Sequence, residues 1–92
     1  MANKYVFVRN FADVSANGMA IDSSGNVYVT HFGNSQIQKF HSNGKFITKW
    51  GSKGTADGQF TAIDAVAVDS SCNVYVADGN NQIQVFATSS TK

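Results

Sequence analysis

The chain has 92 residues, of which 42% are hydrophobic and 12% aromatic, enough apolar material for one small folded domain. Seven basic and six acidic residues give a net charge of +1, with no block of like charge. We therefore expect neither a nucleic-acid partner nor a membrane-surface patch. The apolar runs are too short for a transmembrane helix. One cysteine excludes an intramolecular disulfide, and we take the cytoplasm as the default compartment.

The N-terminal segment, residues 4–11, contains an apolar run of four residues: Tyr5, Val6, Phe7 and Val8. Aromatic and β-branched residues favour extended backbone, so this run predicts a β-strand. The run is too short for the apolar region of a signal peptide.

Residues 17–40 return almost unchanged as residues 64–86. With one gap opposite Phe32, 14 of 23 paired positions are identical, namely A, DSS, NVYV, GN, QIQ and F in one-letter code. The spacing is 47 residues before the gap and 46 after it. A repeat of this period indicates an architecture of stacked structural units.

Each repeat predicts three short strands separated by polar turns. They are residues 19–21, 27–29 and 36–40, with counterparts at 66–68, 74–76 and 82–86. A fourth strand is predicted at residues 46–50, after the Ser42-Asn43-Gly44 turn. Four short antiparallel strands per period are typical of a β-propeller blade. We therefore predict an all-β fold with two blades per chain.

The turn after the first strand of each repeat has the sequence Asp-Ser-Ser. Since the same turn sequence accompanies Asp22 and Asp69, we interpret both as turn caps and not as metal or acid–base carboxylates. Gly25 supplies positive φ in the first repeat, and Cys72 takes its place in the second at a cost of roughly 1 kcal/mol. No cationic residue adjoins Cys72 to activate its thiol, so we expect no catalytic role. Tyr28 and Tyr75 should pack between blades with hydrogen-bonded hydroxyls.

The order of strands leaves the second blade incomplete. Lys4-Tyr5 aligns with Lys45-Phe46. Residues 4–11 therefore precede the first repeat in the same way that the fourth strand, residues 46–50, precedes the second repeat. Two isolated blades would expose two apolar faces, which favours stacking of further units. We predict that residues 4–11 of one chain complete the last blade of the next. The tail, residues 87–92, would replace the Ser42-Asn43-Gly44 hairpin.

Residues 51–63 form a Gly-rich loop between the predicted blades. Phe60 in this loop, and Phe11 before the first repeat, are aromatic residues in polar surroundings, and we expect both to pack between blades. The candidate surface contacts are Phe32, which has no counterpart in the second repeat, His31 and Trp50. His31 is interpreted as a polar surface residue, because further ligands for a metal are missing from the pattern.

The segments DSSGNVYVTHFGNSQIQKF and DSSCNVYVADGNNQIQVF resemble NHL repeats, the blades of NHL-type β-propellers. The resemblance covers about residues 4–86. It implies six blades, hence a ring of three two-bladed chains, although four- and eight-bladed rings also fit whole numbers of such chains. The chain departs from the family at Ala16 and Ile63, where Pro is usual, and at Gln36 and Gln82, where Arg is frequent. Both a natural fragment and an engineered piece of a propeller fit this pattern.

The resemblance implies a structural and interaction module that assembles with itself and binds a protein or peptide on one rim. Two alternatives come from the same family: an RNA-binding rim, which needs clustered basic residues, and a metal-dependent lyase or lactonase, which needs His and acidic residues around the axis. The residues expected near the axis, 17–21 and 64–68, are mostly small or apolar. We therefore predict no enzymatic activity, no catalytic or metal-binding residues and no cofactor.

Overall fold

The structure is a computed structural model, and it describes residues 5–7, 16–31, 35–79 and 82–88. These ranges contain seven strands, which are β1 (Ala16–Ile21), β2 (Val27–His31), β3 (Gln36–Phe40), β4 (Phe46–Trp50), β5 (Ile63–Val68), β6 (Val74–Asp78) and β7 (Gln82–Phe86). The described part of the chain has no helix long and apolar enough to cross a membrane.

The strands form two antiparallel sheets. Sheet 1 has the order β1-β2-β3-β4, and sheet 2 has the order β5-β6-β7. The predicted all-β class is confirmed, and sheets of four and three consecutive strands are consistent with propeller blades. The pairing of the second and third strands is regular in both sheets, and it places Val27 opposite Phe40 and Val74 opposite Phe86.

The strand bounds at 36–40, 46–50 and 82–86 agree with the sequence predictions. The first strand of each sheet is longer than predicted. β1 begins at Ala16 and β5 at Ile63, and each contains an irregularity, between Ala16 and Met19 in β1 and between Ile63 and Ala65 in β5. Because the polar residues Asn17 and Asp64 lie at these positions, outside the apolar runs, the sequence pattern reveals only the later part of each strand.

Alternation along the strands gives each sheet two different faces. The valine face of sheet 1 carries Met19, Ile21, Val27, Val29 and Phe40, and that of sheet 2 carries Val66, Val68, Val74, Val76 and Phe86. The tyrosine face of sheet 1 carries Ala20, Tyr28, Thr30, Ile37 and Lys39, and that of sheet 2 carries Ala67, Tyr75, Ala77, Ile83 and Val85.

The main core forms where the tyrosine face of sheet 1 packs on the valine face of sheet 2. Its buried residues are Tyr28, Ile37, Phe60, Ile63, Val74 and Val76. Trp50 of β4 and Phe86 of β7 extend this core, with ring centroids 5.5 Å apart. A smaller cluster of Val27, Val29 and Phe40 lies on the valine face of sheet 1.

The side chain of Phe60, in the loop between the sheets, packs in the core with residues of both sheets. Its side chain has no exposed surface, and its ring lies 5.8 Å from that of Phe86. Its N–H donates to the carbonyl of Ser52 at 2.8 Å, and its carbonyl accepts from the N–H of Gly54 at 3.1 Å. Gly51 has φ 107°, and a Cβ there would lie 2.7 Å from the Phe60 ring. The predicted position of Phe60 between the sheets is confirmed, whereas Phe11 lies outside the described residues.

Replacing Phe60 by Ala should lower the free energy of unfolding by about 3–5 kcal/mol, because the ring has no exposed surface and its removal leaves a cavity between the sheets. Urea unfolding at constant protein concentration measures this change. Thr55→Ala, in the exposed part of the same loop, is the control and should change stability by less than about 0.5 kcal/mol. A loss in Phe60→Ala no larger than that of the control would contradict the assigned packing.

Candidate assembly interface and structural turns

The Asp22 carboxylate closes the turn between β1 and β2. One oxygen accepts the backbone N–H groups of Ser24 and Asn26, both at 2.9 Å. The other accepts the Asn26 side-chain amide at 3.2 Å and the Tyr28 hydroxyl at 2.9 Å. Both oxygens are therefore engaged in holding the turn and the first residues of β2, as expected of an Asx-type cap.

The Asp69 carboxylate repeats this network in sheet 2. It accepts the N–H groups of Ser71 and Asn73, both at 2.9 Å, the Asn73 side-chain amide at 3.1 Å and the Tyr75 hydroxyl at 3.0 Å. The shared sequence Asp-Ser-Ser-x-Asn-Val-Tyr thus builds one local structure twice. The hydroxyl of Tyr75 is hydrogen-bonded as predicted, but its ring is exposed in the single chain, unlike that of Tyr28.

These hydrogen bonds lower the pKa of both carboxyl groups. Burial raises the pKa of Asp22 and is the largest single influence, but the hydrogen bonds from Asn26, Tyr28 and Ser24 together outweigh it. The pKa of Asp69 is lowered first by the backbone N–H of Asn73. Burial, followed by the hydrogen bond to Asp22, raises the pKa of Tyr28. Both aspartates are therefore held ionised and their tyrosine partners protonated.

Asp22→Asn should flatten the dependence of stability on pH in acid. The folded-state pKa of Asp22 lies below its ordinary value of 3.8, so ionisation stabilises the fold above that pH, and the contribution is lost as the pH falls through the folded pKa. The free energy of unfolding, measured by urea titration from about pH 5 to pH 2, should fall more steeply in the wild type.

Tyr28→Phe provides the matched comparison, because it keeps the Asp22 carboxylate and removes one of its donors. Its pH slope should lie between those of the wild type and Asp22→Asn. Equal slopes in all three proteins would show that the carboxylate is not stabilised by this turn.

Cys72 adopts the backbone conformation of the glycine that it replaces. Its φ is 67°, and that of Gly25 is 84°. Each residue donates its N–H to the carbonyl of the preceding turn aspartate at 3.0 Å. The thiol is free and half-buried. Left-handed backbone is unfavourable for a residue with a side chain, so the second turn carries local strain that the first turn lacks.

Cys72→Gly should raise the free energy of unfolding, by up to about 1 kcal/mol, because it relieves this strain. Ser71→Gly, one residue earlier, is the control. Ser71 is not among the described residues with positive φ, so glycine there adds only freedom to the unfolded chain and should lower stability. Thermal unfolding of both variants distinguishes the two effects, and a Cys72→Gly protein less stable than the wild type would contradict the assignment.

The three candidate surface residues do not form one described site. His31 ends β2 on the valine side of sheet 1, opposite Gln36, and Trp50 ends β4 on the tyrosine side, opposite Ile37. Phe32 lies outside the described residues. His31 Nδ1 and Trp50 Nε1 are buried atoms without a hydrogen-bond partner. Within the described ranges, no three His, Cys, Asp or Glu side chains cluster in a way that would hold a metal ion.

A cavity of about 470 Å³ lies between β4 and the end of β7. Its walls include Thr48, Trp50, Val74, Phe86, Ala87 and Thr88. In sheet 1 the third strand is followed by β4, whereas in the described part of sheet 2 no strand follows β7. The cavity therefore lies where a fourth strand of sheet 2 would cover the tyrosine side of β4. Counting strands in the sequence predicts a further strand for the second repeat, but it does not predict this cavity.

The N-terminal segment forms no strand in the part that the structure describes. Residues 5–7 belong to neither sheet, and Tyr5 and Phe7 are 97% and 78% exposed. Val8 and the rest of residues 8–15 lie outside the described ranges. The expectation that residues 4–11 form a strand concerns pairing with a neighbouring chain, and it stays a prediction.

The sequence model of the SBBP family, described as a beta-propeller repeat, matches residues 5–36. The match begins in the N-terminal segment and extends through β1 and β2 to the first residue of β3. A comparison with curated proteins found no match. Residues 5–36 are thus similar to a β-propeller repeat, and the two antiparallel sheets of four and three strands are consistent with propeller blades.

Proposed function

We propose that the chain is a structural, self-assembling propeller module of the NHL type, which forms a six-bladed ring of three chains by strand exchange. Residues 4–11 of one chain would pair with β7 of the next and supply its missing fourth strand. The ring would present a rim to a protein or peptide partner. The observation that carries the proposal is that, within the described residues, no strand pairs with the outer edge of β7, which adjoins a cavity, while Tyr5, Val6 and Phe7 are exposed.

The open edge gives the exchanged strand a physical reason to bind. An edge strand presents unpaired N–H and C=O groups, and an added strand satisfies them along its whole length. In sheet 1, β4 pairs in this way with β3 and covers its edge. β7 has the same sequence pattern as β3 and, in the described part of the chain, lacks the covering strand.

The alignment of the two repeats also predicts the register in which residues 4–11 would pair with β7. Lys4-Tyr5 corresponds to Lys45-Phe46, and Phe40 corresponds to Phe86. In sheet 1, Phe46 meets Phe40 edge to face, with ring centroids 5.8 Å apart. Tyr5 of the neighbouring chain would meet Phe86 in the same manner. The family match supports this reading, because it includes the N-terminal segment within the repeat from residue 5 onwards.

Light scattering should give a mass near that of three chains of 9.8 kDa, about 29 kDa in total. Deletion of Met1 to Phe11 should abolish this species, because sheet 2 then has no source for its fourth strand. Adding a peptide of residues 1–11 should restore assembly of the truncated chain. The same peptide with Pro at positions 6 and 7 should fail, because Pro lacks the N–H that pairs across an edge.

The single thiol provides an independent measurement, because Cys72 lines the cavity that the strand would cover. Its labelling rate should be lower in the intact protein than in the truncated one, and it should fall when the peptide is added. An intact protein with the mass of one chain, or a truncated protein that keeps the three-chain mass, would refute strand exchange.

A further inference from the structure

We propose that the cavity between β4 and the end of β7 binds a small aromatic carboxylate. The Lys39 ammonium and the Thr48 hydroxyl would hold the carboxylate group, and the rings of Trp50 and Phe86 would contact the aromatic group. The inference goes beyond the proposed self-assembly and does not depend on it, because the residues that define the site all belong to one chain.

The size of the cavity suits a small organic ligand. Its volume is about 470 Å³, which lies within the range of roughly 300–1,000 Å³ that is usual for small-molecule sites in proteins. Its walls come from both sheets and from the turn at Cys72, so a bound molecule would contact residues that are distant in the sequence. Such sites combine apolar walls with a few polar groups that orient the ligand.

The polar wall of the cavity is formed by Lys39 on β3 and Thr48 on β4. These two residues lie directly opposite each other on neighbouring strands, and both line the cavity. Cross-strand partners have Cβ atoms about 5 Å apart, so the ammonium and the hydroxyl can donate to the two oxygens of one carboxylate. Because the ammonium is charged, its hydrogen bond to a carboxylate is stronger than one between neutral groups.

The charge of the lining favours an anion. Among the described lining residues, Lys39 is basic and none is Asp or Glu. The Lys39 ammonium lies 5.2 Å from the centroid of the Tyr28 ring, a contact that uses no hydrogen-bond acceptor. Asp22, which binds the Tyr28 hydroxyl, does not line the cavity, and both of its oxygens are engaged in the turn between β1 and β2. An organic anion therefore complements this cavity, whereas a cation would be repelled by Lys39.

The apolar wall determines the other half of the ligand. The rings of Trp50 and Phe86 have centroids 5.5 Å apart and planes inclined at 53°, and Val74 lines the same cavity. Aromatic side chains bind further rings in offset or edge-to-face arrangements. A ligand with an aromatic group beside its carboxylate therefore matches both walls at once.

The strand that we propose for exchange would not remove this site. It would pair along the edge of β7, in the plane of sheet 2, whereas Lys39, Thr48 and Trp50 belong to sheet 1. Stacked sheets lie about 10 Å apart. The added strand would thus form a further wall of the cavity, opposite β4.

Titration of the intact protein with 4-biphenylacetate tests the site, and the neutral 4-biphenylacetamide is the matched ligand. Calorimetry should give an affinity for the acid that is roughly tenfold higher, because only the acid forms an ion pair with Lys39. Trp50 is the single tryptophan of the chain, so its fluorescence reports whether the cavity is occupied. The acid should also slow alkylation of Cys72, which lines the same cavity.

Lys39→Met removes the charge and keeps an unbranched side chain. It should lower the affinity for the acid to that for the amide, about tenfold, and leave the affinity for the amide unchanged. Lys39→Arg should retain the preference for the acid. Lys49→Met is the matched control, because Lys49 follows Thr48 on β4 but is exposed and does not line the cavity. Circular dichroism verifies that each variant keeps its strand content.

The outcomes decide the inference separately from strand exchange. A wild type that binds neither ligand, or binds both equally, overturns it, and this comparison needs no substitution that could impair folding. Equal losses of acid binding in Lys39→Met and Lys49→Met also overturn it. Acid binding without a change in Trp50 fluorescence and without protection of Cys72 would place the ligand elsewhere and overturn it as well.

Light scattering of the same samples tests self-assembly independently. A protein with the mass of one chain that binds the acid through Lys39 supports the site, although strand exchange then fails. A protein with the three-chain mass that does not bind the acid overturns the site and leaves strand exchange standing.

Discussion

The packing of a tyrosine face against a valine face is the interaction on which the structure depends. The larger of the two buried clusters in the described part of the chain is shared by both sheets. Tyr28, Ile37, Val74 and Val76 belong to this cluster, and Phe60 packs with them from the connecting loop.

The loop between the sheets is part of the contact. The side chain of Gln84 on β7 forms two hydrogen bonds with this loop. Its Oε1 accepts from the backbone N–H of Gly58 at 2.9 Å, and its Nε2 donates to the backbone carbonyl of Gln59 at 2.8 Å. The Asp78 carboxylate accepts the N–H groups of Thr61 and Ala62 just before β5 begins. These bonds satisfy backbone groups that a loop beside a core would otherwise leave unpaired, and they fix the position of Phe60.

The number of strands in each sheet gives the proposed association a physical reason. The outer faces of the two sheets differ: Val27, Val29 and Phe40 of sheet 1 are already buried, whereas Tyr75 and Ile83 of sheet 2 are exposed. In the part of the chain that the structure describes, β4 pairs with the edge of β3, whereas no strand pairs with the corresponding edge of β7. The exchanged strand that we propose would cover this edge. Assembly would then be a consequence of the unpaired backbone groups along β7.

The sequence by itself determined the local structure. Alternating residues and polar turns located all seven described strands, and the correspondence of Gly25 with Cys72 indicated the left-handed turn position that both residues occupy. These features depend on interactions among residues close in the chain. The starts of β1 and β5 were missed, because strand pairing is irregular there and the polar residues Asn17 and Asp64 lie outside the apolar runs that identify these strands.

Only the tertiary structure decided which faces are covered. Tyr28 and Tyr75 have the same neighbours in sequence and the same hydrogen bond to aspartate, yet one is buried and the other exposed. The sequence prediction treated them alike, because local sequence carries no information about whether another sheet lies above a face. The sequence could not predict the cavity beside β7 for the same reason. Its walls include residues of β4, β7 and the turn at Cys72, which meet only when the two sheets pack.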